Sequence, residues 1–223
     1  IYGKNNNLDL IQLNGKKLSY NNYNDIYASL NISKTLPKNT GTVVVKHANP
    51  CGVSIRKNKI DSIKEAFASD PVSAFGGIVS CNFKVTKKAA IELNKLFLEV
   101  IIGIGFDNDS LKILKKKKNL RLIDASKLQN QSLFDMTSSF NSFLCQSVDN
   151  KIFSKDNFKV VSKIKPSKKI FDDLLFAFNV CRNVKSNAIV LTKNSSTVGI
   201  GSGQPSRLDS CKIAVDKMKK FQK

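Results

Sequence analysis

Short runs of β-branched and aliphatic residues alternate along this chain with amphipathic stretches of helical period, and that alternation restricts it to a layered α/β architecture. Thr42-Val43-Val44-Val45, the run entered at Ile78-Val79, Val100-Ile101-Ile102 and Leu120-Arg121-Leu122-Ile123 read as buried strands. Between them, residues 60–69 put Ile63, Ala66 and Phe67 on one side of a helix. A second helix runs from a Thr86 cap to Phe97, with Ala89, Ala90, Leu93, Leu96 and Phe97 at the required spacing. Near the start, Asn24-Asp25 leads into Ile26, Ala28 and Leu30 as another helix. Residues 125–165 are Ser/Asn-rich and read as irregular. After Pro166 the pattern resumes: a helix over Ser167–Val184, strands at Asn187–Leu191 and Thr197–Gly201 around a turn at Asn194-Ser195-Ser196, and a last helix from Leu208. The expected organisation is a first lobe over 1–125, a linker and excursion over 126–166, and the start of a second lobe over 167–223. With two strands and two helices, that second lobe is incomplete.

A 223-residue chain that is 41% hydrophobic and 24% charged can bury a core, which excludes compositional disorder. It has no apolar run of the roughly 18–20 residues that span a bilayer, and no basic segment leading into an apolar one. The expectation is a cytoplasmic protein with no membrane partner. Lys and Arg exceed Asp and Glu by 37 − 17 = 20 charges. Clustered, such an excess would suit a nucleic acid. Here the lysines are spread among asparagines, and Lys115–Lys118 follows a short amphipathic segment as a solvated face, so no nucleic-acid partner is expected. The field still attracts small anions. Cysteines at 51, 81, 145, 181 and 211 are odd in number and widely spaced, as reduced thiols are, not a disulfide scaffold or a structural zinc site. One histidine and no clustered carboxylates give no metal ligand set.

The chemistry-bearing residues gather near strand ends. His47, the one histidine, follows Lys46 in Lys46-His47-Ala48-Asn49-Pro50-Cys51-Gly52, a polar loop expected at the carboxyl end of a strand. A lone histidine is either a satisfied structural residue or a proton carrier near neutral pH. Strand neighbours face opposite ways, so Lys46 and His47 share a pocket only if the strand has ended. Cys51 adjoins them as a candidate nucleophile, with a plain structural thiol as the alternative. Gly76-Gly77 is either a strand-entry turn or a place where a ligand packs on backbone. Glu99, opening an apolar run, is either solvated at an edge or a site carboxylate. Asn187 either polarises a carbonyl or satisfies a turn. The Gly199-Gly201-Gly203 spacing is not a dinucleotide fingerprint. Ser206 and Arg207 can instead cap the last helix and present donors to an anion, with a surface salt bridge as the alternative for Arg207.

Five segments occur in order: Val45–Gly52, Asp70–Ile78, Glu99–Ile102, Val184–Val190 and Gly199–Arg207. Together with Leu13–Asn22 they resemble the transformylase part of the AICAR transformylase/IMP cyclohydrolase family over nearly the whole chain. The resemblance implies a three-layer α/β/α, cytidine deaminase-like fold with two lobes, and a homodimer whose site is assembled across the subunit interface. The implied reaction moves a formyl group from the cosubstrate 10-formyltetrahydrofolate to the 5-amino group of AICAR, without a metal. His47 would assist loss of the amine proton through the substrate carboxamide. Lys46 would stabilise charge on the formyl oxygen and help protonate the leaving folate nitrogen, and Asn187 would orient the formyl group. Arg207 resembles a phosphate or ribose-phosphate contact, while Tyr2, Phe75, Gly76 and Glu99 resemble nucleotide-pocket residues. Ile1 stands where the family pattern has arginine, and Gly103-Ile104 stands where it has Ala-Pro. The cyclohydrolase region and the family's later Ser-Asp-Ala-Phe-Phe-Pro-Phe segment lie outside these residues, so the alternative is an inactive nucleotide-binding or dimerising remnant.

Overall fold

The computed structural model describes residues 9–128, 134–149 and 151–222. Strand β1 (Ile11–Asn14) is followed by helix α1 (Tyr20–Lys34). The cap of α1 is Ser19, five residues before the expected start: its hydroxyl accepts from the Asn22 N–H at 3.2 Å while Asn22 Oδ1 accepts from the Ser19 N–H at 3.1 Å. This reciprocal box lets a polar Tyr-Asn-Asn-Tyr-Asn stretch begin a helix whose apolar burial comes only later, at Ile26 and Leu30.

Strands β2 (Gly41–Lys46) and β3 (Asn49–Ile55) form a hairpin. The expected loop is therefore shorter than its Pro and Gly suggested, reduced to His47 and Ala48 at φ 55° and 57°. Positive φ at both positions suits a tight turn matched to the strand twist. Pro50 is tolerated because the register slips there: Val45 faces Pro50, Val44 faces Gly52, and Cys51 is the extra bulged residue.

Next come α2 (Lys59–Ser69), the single turn α3 (Pro71–Ala74), β4 (Ile78–Cys81), α4 (Lys87–Leu93), β5 (Val100–Gly103), α5 (Asn108–Leu114) and β6 (Arg121–Asp124). Helix α4 stops before Phe97, and its first N–H groups are met from outside, Lys87 donating to Asp107 Oδ2 at 3.0 Å. The Ser/Asn-rich excursion is not wholly irregular, since β7 (Phe134–Ser139) and β8 (Ser142–Ser147) pair as a separate exposed hairpin. Helix α6 (Lys168–Cys181) starts at its Ser167 cap, followed by β9 (Ile189–Lys193), β10 (Ser196–Gly201) and α7 (Arg207–Phe221).

Eight strands make one mixed sheet in the order β1-β6-β5-β4-β2-β3-β10-β9. The two strands assigned to the second lobe thus extend the sheet of the first, β10 lying antiparallel to β3. Alternate residues feed two layers of helices. Val43, Val45 and Val53 pack with Ile32 of α1 and Phe176 and Val180 of α6, and Ile78, Val100 and Ile102 pack with Ile26 and Leu30. On the other face Val44, Val79, Ile101 and Leu122 meet Ile63 and Ala66 of α2, Leu93 of α4 and Leu114 of α5. Each fully buried Val, Leu or Ile side chain contributes about 1.5–3 kcal/mol. The result is the three-layer α/β/α arrangement expected. No helix among the described residues is long and apolar enough to cross a membrane.

Candidate active site

The sheet order brings the chemistry-bearing residues to one end. Lys46 closes β2, and the antiparallel pairing of Val45 with Ile78 puts the start of β4 beside it. Ile78 pairs in parallel with Val100, and Val100 with Arg121, so Glu99, just before β5, lies along the same rim. On the other side, Gly201 at the end of β10 pairs with Ile189 at the start of β9, so Asn187 and the loop before Arg207 also lie there. The rim therefore mixes strand ends and strand starts, with Lys46 at the carboxyl end of its strand as expected.

Lys46 is half-buried and donates from Nζ to the Phe75 carbonyl at 2.8 Å. His47 is exposed, and its φ shows that the strand has ended, the condition for sharing a pocket with Lys46. Two contacts hold the turn. Asp25 of α1 accepts from the Ala48 N–H at 2.6 Å, and Asn49 Nδ2 donates to the His47 carbonyl at 3.1 Å. A non-glycine pair in the left-handed region costs of order 1–2 kcal/mol per residue, and these fixed partners offset it.

Phe75 is exposed, and its ring lies 5.3 Å from that of Phe97. Gly76 has φ 71°, and its N–H donates to the Phe97 carbonyl at 2.8 Å. A side chain there would meet only open space and the Phe97 ring, so the glycine serves the left-handed turn rather than a close approach. The Glu99 N–H donates to the Gly77 carbonyl at 3.1 Å. Its carboxylate accepts from Asn22 Nδ2 at 3.2 Å and pairs with Arg121 at 3.7 Å, remaining about half exposed. Beside it opens a cavity of about 500 Å³ lined by Lys16, Phe97, Glu99, Lys118 and Arg121 among others.

Asn187 is fixed by its whole peptide. Its N–H and Nδ2 donate to the Gln204 carbonyl at 3.1 and 3.0 Å, Nδ2 also reaches the Pro205 carbonyl at 2.8 Å, and its own carbonyl accepts from the Ser210 hydroxyl at 2.8 Å. Ser206 caps α7 through the Leu208 and Asp209 N–H groups, as expected. Arg207, the first residue of α7, is exposed and makes no ion pair among the described residues. The glycines at 199 and 201 serve packing: a Cβ on Gly201 would fall 1.9 Å from the Ser210 carbonyl, and one on Gly199 would fall 2.1 Å from that of Ala214.

Lys46, Phe75, Gly76 and Glu99 thus form one hydrogen-bonded arm, and Asn187 and Arg207 another. The arms are joined where the Lys185 N–H donates to Asn49 Oδ1 at 3.2 Å. Tyr2 lies outside the described residues. Cys51 does not act as a nucleophile here: it is buried, and burial, reinforced by Asp70, pushes its thiol up to about 12. A more apolar cavity of about 540 Å³ lies between residues 158–166 and α6, and none of the expected site residues lines it.

Sequence reasoning missed Asp25, Asn49, Lys185 and Arg121. Only Arg121 left a usable signal, because parallel strands starting in register at Val100 and Arg121 set it next to the residue preceding Val100. Asp25 and Asn49 read as ordinary turn and cap residues until the hairpin is folded over α1.

A family model described as AICARFT/IMPCHase bienzyme matches residues 1–217. The chain is 42% identical over 208 residues to the Bifunctional purine biosynthesis protein PurH of Acetivibrio thermocellus, covering 92% of this chain and 40% of that protein. Against the protein of the same name from Aquifex aeolicus it is 42% identical over 209 residues, covering 94% and 40%. Against that from Thermoanaerobacter sp. it is 45% identical over 197 residues, covering 88% and 38%. The chain therefore spans about 40% of the length of the curated relatives it matches. With a family model matching nearly end to end and relatives above 40% identity, this chain belongs to the AICARFT/IMPCHase bienzyme family.

Proposed function

We propose that this chain carries a phosphoribosylaminoimidazolecarboxamide formyltransferase site, moving a formyl group from 10-formyltetrahydrofolate to the 5-amino group of AICAR. One observation carries the reading. Lys46, His47, Phe75, Gly76, Glu99, Asn187 and Arg207, dispersed from residue 46 to residue 207, lie along one end of a single sheet.

The barrier in such a transfer is proton placement and a developing oxyanion, both of which oriented donors address. The amine nitrogen bonds to the formyl carbon while the bond from that carbon to the folate nitrogen breaks. His47 takes up the amine proton by way of the neighbouring carboxamide. Lys46 stabilises the formyl oxygen and supplies a proton to the departing nitrogen. Asn187 orients the formyl group. Glu99 suits a ribose hydroxyl, Phe75 and Gly76 wall the nucleotide together with Tyr2, and Arg207 holds its phosphate. No metal takes part. Cyclohydrolase chemistry belongs to the family's other region.

The same reading makes the fold cytidine deaminase-like, with residues 1–125 as the first lobe, 126–166 as linker and 167–223 as the start of the second. It makes the working unit a cytoplasmic homodimer. The test is AICAR-dependent formation of tetrahydrofolate from 10-formyltetrahydrofolate by the purified chain, with AICAR binding measured in parallel. Transfer supports the reading. AICAR binding without transfer points instead to a nucleotide-binding remnant, and absence of both overturns it.

A further inference from the structure

Asp70 lies between α2 and α3, and Lys217 lies on α7. Their side chains meet at 2.8 Å, with Asp70 almost wholly buried and Lys217 about one-third exposed. The same carboxylate caps α3. Its Oδ1 accepts from the Ser73 N–H at 2.9 Å and its Oδ2 from the Ser73 hydroxyl at 2.7 Å, while the Asp70 carbonyl accepts from the Ala74 N–H at 3.0 Å. A four-residue turn such as α3 cannot hold itself, because one helical turn fixes several torsions for very few internal hydrogen bonds. Its geometry is set from outside, by Asp70. At its far end α3 stops at Phe75, and the turn closes through the Gly77 N–H on the Ala74 carbonyl at 3.0 Å. The Phe75 carbonyl then accepts from Lys46 Nζ at 2.8 Å, the sole hydrogen-bond acceptor of that ammonium among the described residues. Two ammonium groups therefore bracket one short helix, Lys217 at its capped start and Lys46 at its end.

We propose that Lys217 and Asp70 are positioning residues for Lys46, acting through α3 to aim the Phe75 carbonyl that holds the Lys46 ammonium in place. This rests on the reading of Lys46 as a catalytic group. Lysine carries a compact charge on a flexible four-carbon stem, so a fixed acceptor is what turns it into an oriented donor. Without Lys217 the Asp70 carboxylate is left buried with no counter-charge, a state that proteins relieve by moving or neutralising the group. Movement withdraws the cap from α3, displaces Phe75 and frees Lys46, and neutralisation removes the charge that strengthens the same cap. The pair also explains how α7, which begins at Arg207, is kept in step with the Lys46 arm.

The decisive measurement is the order of the Lys46 side chain in the whole chain, read from 13Cε relaxation with lysine labelling and assigned by Lys46→Arg. Lys217→Met is expected to lower the Lys46 order parameter by at least half, and Lys217→Arg to restore most of it. Should Lys217→Met fail to fold, two charge-neutral variants decide. Asp70→Asn with Lys217→Met keeps an acceptor for the Ser73 N–H, and Asp70→Ala with Lys217→Met removes it. Lys46 ordered in the first and mobile in the second supports the proposal, whereas equal order in both overturns it. Formyl transfer supplies a second readout, with kcat falling roughly tenfold in Lys217→Met and KM for AICAR holding within about twofold. A folded Lys217→Met with wild-type Lys46 order overturns the inference. If the unaltered chain transfers no formyl group, the catalytic reading fails while Lys46 order still decides the positioning claim.

Discussion

The Lys185 N–H donates to Asn49 Oδ1 at 3.2 Å, so the hairpin bearing Lys46 and His47 is fastened directly to the segment bearing Asn187. One short polar side chain thus links residues that the chain separates widely. The same asparagine amide donates to the His47 carbonyl at 3.1 Å, so it fixes the turn and the junction together.

Asn49→Ala removes both contacts and leaves the Lys185 N–H without this partner. Both contacts are exposed, so water takes their place and the expected loss is about 0.5–1.5 kcal/mol of unfolding free energy. It should appear as a lower urea midpoint at unchanged slope, the signature of lost stability rather than altered compactness.

Gly201→Ala tests how closely α7 approaches the sheet. Its Cβ would fall 1.9 Å from the Ser210 carbonyl, which is backbone and cannot swing aside. Forcing α7 outward should cost about 1–3 kcal/mol. Native-state hydrogen exchange should speed up selectively along α7, because the Ser210 hydroxyl bond to Asn187 goes with it.

The parts of the fold legible in the sequence are those whose burial is dense and local. The valines of β2 and the run Val100-Ile101-Ile102 are buried on both faces, and such strands announce themselves as unbroken aliphatic runs. Helices α2 and α6 follow from their periodicity. What escaped depends on partners remote in sequence. Pro50 and Gly52 read as loop residues because the Cys51 bulge that accommodates them exists only opposite Val44 and Val45. The hairpin β7–β8 buries almost nothing, so Ser138, Ser139 and Ser142 gave no strand signal. For the candidate site, Lys46 and His47 stood out by type and position, and Asn187 and Arg207 by ordered motifs. Asp70 belonged to a recognised segment, yet its pairing with Lys217 on α7 required the sheet to close first.

Thiol reactivity should divide the cysteines by burial. Burial pushes Cys51 and Cys81 up to about 12, so neither is a thiolate near neutral pH. Cys145 and Cys211 are exposed. Titration of the native chain with an aromatic disulfide at pH 8 should modify Cys145 and Cys211 rapidly and leave Cys51 and Cys81 unmodified until the chain unfolds. Rapid labelling of Cys51 in the folded chain would contradict its placement in the core.

Acid sensitivity should report on Asp70. Burial alone would raise its carboxyl, but the Lys217 ammonium and the Ser73 N–H and hydroxyl outweigh that and hold it below the ordinary 3.8. A folded-state value below the unfolded one means that the unfolded chain takes up the proton first as pH falls. The stability from Asp70 is therefore present above about pH 4 and is lost as pH drops through the lowered native value. Unfolding free energy followed by urea between pH 5 and about pH 2.5 should fall less steeply for Asp70→Asn with Lys217→Met than for the unaltered chain.

His47, on its turn at the end of β2, is proposed to move a proton in formyl transfer. The direct measurement is single-turnover formation of tetrahydrofolate from 10-formyltetrahydrofolate, with and without AICAR, comparing the unaltered chain with a folded His47→Ala variant. Positioned proton transfer contributes about 10²–10⁴-fold, so the expected result is AICAR-dependent transfer that slows by at least about 10² in His47→Ala while AICAR still binds. An equal rate in the two proteins, or no AICAR-dependent transfer by the unaltered chain, would contradict it.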